Sequence, residues 1–493
     1  MKRGALSAIV VVMAIIAIIV FRVPRDDESY APPRDVAWTS TREIQSLRVD
    51  ENGALWAQTS GGVLRFQNGN WTKWLQSPPE YSRLKASAPQ DVSWRGQKVV
   101  VSFDGLKIGA AKNNDATTIA LPHSSGSHIS AILPRGGALW AALFGDGIWE
   151  WNGARWKKLD LELPPNAREI TALAQGREQK TLWLGTRRQG VWEYSGGQWK
   201  QHLQAGEPFA HNIQFLQKFR GAVWASTLED GLVVRDASGW RHIGAGVLSS
   251  NAPRQLAVFK GKLYVRHSNE VADCFDGKSW RKNVFANLPR KQIISLAADE
   301  KRLYLGQWGG WSEWDGKNFV HHLKLAPLQI VPLMQIFPDG KTLWLGTENR
   351  GLFAWDFATQ KLRHFDERDG LPDDWITAIG RTGSTLLAGT FNAGLAWRET
   401  PNTQWQSAPN LKGKGVTGFA DMGGGSILVG TRFGLLRREA NGNLVSLASQ
   451  LSPQEMEVQW LLPVEHGVWI GARGALSFRT RATLRAIGDT LHS

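Results

Sequence analysis

Apolar and polar residues alternate with a period of two in short runs along most of the chain, and glycine-containing turns break the runs every eight to twelve residues. The stretch at 182–203, "LWLGTRRQGVWEYSGGQWKQHL", reads as three strands cut by two turns, and "LWLGTENRGLFAWDFATQKLRHF" at 343–365 repeats it. Aligned on the second residue of the apolar pair, the unit recurs at Trp56, Val100, Trp140, Trp183, Trp224, Tyr264, Tyr304, Trp344, Leu387, Leu428 and Trp469. Successive gaps run from 40 to 44 residues, so eleven units of about 41 residues cover 36–480.

Every unit has one grammar. An alternating segment such as "REITALAQ" precedes the "LWLGT" segment. A loop ending in Gly leads to a third segment such as "VWEYSGG", and a last segment opens on an aromatic, as in "QWKQHL". Asn68-Gly69, Asn152-Gly153, Asp276-Gly277 and Asp315-Gly316 are hairpin signals, because both residues of each pair tolerate positive φ. Four antiparallel strands at this period make a β-propeller blade, which buries its faces only when neighbours stack into a ring. The expected fold is therefore all-β, with about eleven four-stranded blades. Eleven exceed one ordinary ring of four to eight. The expected organisation is an N-terminal anchor and linker (1–35), a first propeller of about five blades (36–250) and a second of about six (251–493). One oversized ring over 36–480 is the alternative. "DVAWTS" near 36–40 resembles a lone fourth strand that could close a ring.

The run "LWLGTENRGLFAWDFATQKLRHFDERDGLPDDWITAI" (343–379) resembles the two-component regulator propeller repeat, with its LWxGT, Gly-Leu, aromatic, tail strand and "DGLP". The likeness is good around Trp140 and Trp183 and loose around Val100 and Tyr264. It implies the periplasmic sensing portion of a bacterial membrane sensor, built from tandem propellers. The sequence carries no second apolar span and no kinase signature, so signalling through a kinase within this chain is not expected.

The first residues set the compartment. Lys2 and Arg3 precede an apolar run from about Ala5 to Phe21, and no small-x-small cleavage site follows it. We read one uncleaved transmembrane helix of a single-pass protein of the bacterial inner membrane, with the bulk of the chain in the periplasm. The single Cys274 allows no internal disulfide and suits a buried apolar position. The net charge of +14 would suit nucleic acid, but no nucleic-acid motif is present. Much of the charge follows the outer strand (Lys73, Lys157, Lys158, Lys200, Arg241), where lysine blocks edge-to-edge pairing. Attraction to anionic lipid or an acidic glycan is the second reading.

Of the 25 Trp residues, 18 recur at fixed phases and are expected between blades. Trp38, Trp74, Trp94, Trp308, Trp311, Trp375 and Trp460 fall outside those phases. Five of the 11 His residues (His202, His242, His321, His322, His364) share the outer-strand phase and are expected at exposed edges. There is no P-loop, GxSxG, HExxH or CxxC, and no cofactor or metal is expected. The variable second-to-third-strand loops and the blade connections share one face in a propeller, and they are the expected binding surface. They carry Phe144, Asp146, Arg187, Arg188, Trp308, Arg350, Asp373, Trp375, Phe391, Arg432 and Phe433, a mixture of arginine and aromatics suited to a sugar, an acidic group or a protein hot spot. The expected function is non-enzymatic sensing or binding of an envelope protein or glycan, with a separate signalling partner. A scaffold for an inner-membrane complex, and a polysaccharide lyase or glycosidase using loop carboxylates, are the alternatives.

Overall fold

The computed structural model describes residues 30–84, 91–102, 105–109, 116–122, 128–176, 180–400, 403–485 and 489–490. The expected membrane anchor lies outside them, and among the described residues no helix is long and apolar enough to cross a membrane. The chain is nearly all-β. Eleven antiparallel sheets follow one another as propeller-like blades, ten of four strands and one of five. We number them blades 1 to 11 in chain order, with first strands opening at Ile44, Asp91, Ile129, Ile170, Ile213, Pro253, Ser295, Leu333, Ile376, Val416 and Val458.

The blades group as four and seven, not as five and six. A central cavity of about 460 Å³ is lined by one inner strand from each of blades 5 to 11. Blade 11 returns against blade 5, where Phe215 and Trp460 stack with centroids 3.9 Å apart. Blades 1 to 4 form a separate unit in which blade 4 returns against blade 1, through a cluster joining Ile44, Leu47 and Leu55 to Ala172, Trp183 and Val191. The seam expected near residue 250 falls between blades 5 and 6, which share the core of Phe215, Leu232, Leu256 and Leu263. A single oversized ring is equally excluded by the two returns. Even spacing hid this, because each blade has the same length whichever ring it joins.

The lone N-terminal strand is real. Val36–Trp38 pairs with Leu476–Phe478 as the fourth strand of blade 11. Thr480 N donates to Asp35 Oδ1 at 2.7 Å, and the Arg479 guanidinium donates to Val36 O at 3.1 Å. Trp38 stacks on Trp469 and meets Trp240 edge-on. In an ordinary ring the chain would run from this fourth strand directly into blade 5. Here the whole four-bladed unit is inserted in that one connection.

Two recurring details explain the "LWLGT" motif. Its glycine faces the β-branched first residue of the next blade: Gly346 meets Ile376, Gly430 meets Val458 and Gly471 meets Ile213. A Cβ at Gly471 would lie 2.6 Å from Ile213 Cγ2, closer than carbon atoms approach. Gly185 meets Ile44 in the same way, closing the four-bladed unit. The threonine then latches the loop. The hydroxyls of Thr186, Thr227, Thr347 and Thr390 each donate to a glycine carbonyl four residues on, at 2.8–2.9 Å. They also accept a backbone N–H from within the loop. Nine inner strands carry a register shift just after their first residue. Such a bulge re-aims a side chain. Thr171, Thr377 and Thr417 sit there and donate across to the next blade, to Ile44 O, Val416 O and Val458 O.

Blade 6 replaces the latch. Arg266 and His267 stand where blades 4, 8, 9 and 10 have Gly-Thr, and His267 Nε2 bonds Asp273 at 2.8 Å with both side chains fully buried. Burial alone would raise the Asp273 pKa, but hydrogen bonds from His267, Ser249 and Asn283 outweigh it and hold the carboxyl below its ordinary range. Cys274 is buried as expected. His202 is not an edge residue: it sits between Trp71 and Glu193 in the contact of blades 4 and 1.

Two outcomes follow. Gly471→Val should destabilise the seven-bladed ring by about 1–3 kcal/mol through overpacking at Ile213, read as a lowered unfolding midpoint. Asp273→Asn should cost about 3 kcal/mol. A carboxyl with a depressed folded-state pKa stabilises above its unfolded pKa, and that stability is lost as pH falls through the folded value. The variant should therefore show a shallower loss of stability on acidification, measured by thermal unfolding across the acid range.

Candidate functional site

The second-to-third-strand loops and the blade connections share one face, as their backbone bonds show: Gly351 N donates to Asp374 O at 2.8 Å, Gly231 N to Asn251 O at 2.7 Å and Arg432 N to Gly415 O at 3.0 Å. Gly351 has a φ of +66°, and a Cβ there would strike the carbonyl of Phe365, so the loop needs glycine at this position.

On this face of the seven-bladed ring, blades 9 and 10 bring five of the expected residues together. Trp375 and Phe391 stack with centroids 4.0 Å apart at an interplanar angle of 8°. The Arg432 guanidinium lies 4.1 Å from the Phe391 centroid and extends the stack by a cation–π contact. Asp373 Oδ1 accepts from Trp375 N at 3.0 Å and orders the connection that presents the indole. Phe433 follows Arg432 and is 60% exposed. Its neighbour Gly415 packs against the Arg432 side chain, and Lys412 lies in the same connection. Arg350 is exposed on the adjoining blade 8. Trp308 on blade 7 is 42% exposed, and its backbone pairs with Pro332. Ile330, in that same connection, is 77% exposed and was not singled out in the sequence, where an isoleucine in a loop carries no signal.

The other expected residues lie elsewhere. Phe144 and Asp146 belong to the four-bladed unit. Phe144 stacks on His128, and Asp146 accepts from the Trp149 indole and the Lys158 ammonium at 2.6 Å each. Asp146 thereby ties its own blade together. Arg187 and Arg188 sit where the two rings meet. Arg187 pairs with Glu229, and Arg188 with Asp230 and, at 2.8 Å, with Glu169. Burial opposes the Arg188 charge, but Asp230 and Glu169 outweigh it and raise the guanidinium pKa.

That junction is mainly polar, with the Arg42 guanidinium 4.9 Å from the centroid of the Phe209 ring. His211, entering blade 5, lies 3.5 Å from Glu43, entering blade 1. The hydrogen bond from His211 is the main reason the Glu43 carboxyl stays below its usual range, against the effect of burial. Glu207 accepts from Thr41 N at 2.8 Å and pairs with Lys73. Gln454 in blade 11 donates to Leu75 O at 2.5 Å. None of the apolar clusters among the described residues joins blades 1–4 to blades 5–11. Sequence reasoning missed Glu43, Glu207, His211 and Gln454, because only the ring closure sets them face to face.

Of the seven Trp residues outside the repeat phases, five are structural. Trp38 closes blade 11, Trp74 stacks on Trp56, Trp94 donates to Gly137 O, Trp311 is fully buried and Trp460 stacks on Phe215. Trp308 and Trp375 remain on the loop face. Among the described residues no group of three or more His, Cys, Asp or Glu is placed to hold a metal.

Exposed ion pairs are each worth about 0–1 kcal/mol and weaken with salt. Arg188→Glu would set a carboxylate beside Glu169, Glu229 and Asp230. It should separate the rings, seen as an increased radius of gyration in small-angle scattering with the unfolding midpoint of the seven-bladed ring unchanged. High salt should move the wild-type protein partly the same way.

No protein-family model matches the chain, and no curated protein matches it by sequence. Among solved structures, the chain is similar to PorZ, an essential surface component of the type-IX secretion system of Porphyromonas gingivalis, at 12% identity and a TM-score of 0.53, covering 92% of this chain and 73% of that one. It is also similar to the extracellular domain assigned to the hybrid two component system BT4673 of B. thetaiotaomicron, at 14% identity and a TM-score of 0.48, covering 91% of this chain and 67% of that one. At 12% identity the likeness to PorZ is a likeness of fold.

Proposed function

We propose that the chain is a non-enzymatic, membrane-anchored propeller that faces the periplasm and recognises a protein partner on the loop face of its seven-bladed ring. The observation that carries this reading is the Trp375–Phe391–Arg432 stack with Phe433 beside it. Stacking fixes the rings and the guanidinium before any partner arrives, so little side-chain entropy remains to be lost on binding. Aromatic and arginine side chains so placed are the usual anchors of protein interfaces. Arg350, Trp308 and Ile330 extend the surface across blades 7 and 8.

The path of the first described residues supports an orientation. Tyr30 N donates to Gly221 O, in the turn between the first two strands of blade 5, opposite the loop face. Tyr30 O accepts from the Trp469 indole at 3.2 Å, and its hydroxyl from Arg235 at 3.1 Å. An anchor joined to Tyr30 through residues 22–29 would then approach the ring from the turn face. The loop face then points away from the bilayer, toward partners in the envelope. The fold likeness to PorZ, a surface component of a secretion system, agrees with an envelope role.

The experiment is a crosslinking pull-down of the full chain from its native membrane, beside Arg432→Ala/Phe433→Ala. The substitutions touch no core and should change stability by less than about 1 kcal/mol. A discrete protein captured by the wild type and lost from the variant is the expected result. Equal capture by both would move the docking surface off this face, and no capture would count against a protein partner.

A further inference from the structure

We propose that the outer strand of blade 7, Phe319–Leu323, is a docking edge for an extended peptide of a partner protein, a β-branched run with acidic residues at both ends that adds to the blade as a fifth strand. This edge lies on the circumference of the ring, apart from the loop face. Cross-strand register aligns Lys157, Lys200, Arg241, Arg281 and Arg363 on the outer strands of blades 3, 4, 5, 6 and 8. A cation at that place keeps foreign strands from pairing with the edge. Blade 1 carries Lys73 one place further on. Blade 7 has Val320 there, 54% exposed, and no Lys or Arg anywhere in the strand. Blades 2, 9 and 11 also lack the cation, but their outer strands are only two to four residues long.

The edge is open. Asp315 N donates to Asn318 O and Lys324 N to Gly309 O, and these bonds bracket the ladder that pairs Trp314 with Phe319 and Gly310 with Leu323. Antiparallel pairs alternate between bonded and unbonded. Val320 and His322 therefore spend their backbone groups on the third strand, while Phe319, His321 and Leu323 turn theirs outward. Those outward groups have no partner among the described residues. The run from Lys317 to His321 is exposed throughout. Phe319 is held in place by its stack on Trp314 and an edge contact with Phe285. Blade 10 shows strand addition within this chain: its uncharged outer strand, Leu444–Ser446, takes Asp489–Thr490 as a fifth strand.

The flanks select the occupant. Lys317 and Lys324 stand exposed at the two ends of the strand, and neither has an ion pair among the described residues. The nearby acids are already used. Asp315 accepts from Lys317 N and Asn318 N at 2.7 Å each, and Glu313 is buried with Arg302 and His322. Acidic residues on either side of an incoming run would meet the two lysines, and its β-branched centre would cover Val320. A second copy of the same edge fits less well. Antiparallel pairing about His321 would set Lys317 of one copy near Lys324 of the other at both ends, and parallel pairing would set identical lysines side by side.

The test is fluorescence anisotropy of the full chain in lipid nanodiscs with a short labelled peptide, an alternating Val-Thr core between acidic ends. Saturable binding is the expected result. It should weaken at least tenfold when alternate core residues are N-methylated, which prevents the ladder, and when lysines replace the acidic ends. Val320→Lys restores the cation of the other blades at an exposed position. It should weaken binding as much without moving the unfolding midpoint, while Arg432→Ala/Phe433→Ala leaves binding unchanged. The proposal is overturned if no saturable binding is seen, if the N-methylated peptide or Val320→Lys binds as tightly as the original pair, or if binding is lost in Arg432→Ala/Phe433→Ala. A dimer of the chain that Val320→Lys abolishes would assign the edge to a second copy and overturn it as well.

Discussion

The architecture depends on the close approach of a glycine in the second strand of one blade to a β-branched side chain opening the next. Where Gly346 meets Ile376, or Gly471 meets Ile213, there is no room for a Cβ. The approach recurs at four of the seven blade contacts of the large ring, from blade 8 round to blade 5, and once more where the four-bladed unit closes. The threonine after the glycine satisfies the buried polar groups of the adjoining loop, so the frame ends in a defined turn rather than a mobile one. The loop residues beyond that latch are free to differ between blades, and they do: Arg187 and Arg188, Glu229 and Asp230, Phe391, Arg432 and Phe433 occupy equivalent places on a repeated frame.

A second constraint follows from how the large ring closes. Its last blade borrows Val36–Trp38 from the far end of the chain, and the link that should follow is replaced by four complete blades. The inserted unit is therefore tethered at two neighbouring points, and it meets the loop faces of blades 5 and 11. Its contact there is ionic and amide-rich and encloses cavities. Interfaces of that kind permit relative motion of the parts they join. On blade 10 Arg432 and Phe433 stand exposed beside the half-buried Trp375–Phe391 pair.

The blade and its number were legible from period-two patterning and from the phase of "LWLGT", because those features record contacts inside a blade and to its immediate neighbour. The lone strand at 36–38 was legible for the same reason. Ring size was not, since Ile213 and Ile44 look alike in sequence although one closes seven blades and the other four. The site was half legible. Phe391, Arg432 and Phe433 converge because they sit at equivalent phases of adjacent blades, and the connection carrying Asp373 and Trp375 passes beside Phe391, whose N–H donates to Trp375 O at 3.0 Å. Arg187 and Arg188 sit at that phase too, but the insertion turned them into a junction. Asp146 satisfies an indole and an ammonium within its own blade, a local pairing that no alternation pattern reports.

The central claim is that the chain's first strand completes its last blade, leaving the four-bladed unit as an insertion. Ala37 and Ser477 are direct cross-strand partners, and paired positions of an antiparallel ladder lie within disulfide reach. The decisive measurement is oxidation of full-length Ala37→Cys/Ser477→Cys in a Cys274→Ser background, read by mobility on a non-reducing gel and by mass spectrometry of the linked peptides. The account predicts a rapid, near-quantitative intramolecular crosslink in the folded protein that is lost on denaturation before oxidation. No crosslink in a protein that is otherwise folded would contradict it, because rings of five and six blades would leave residues 37 and 477 in different propellers.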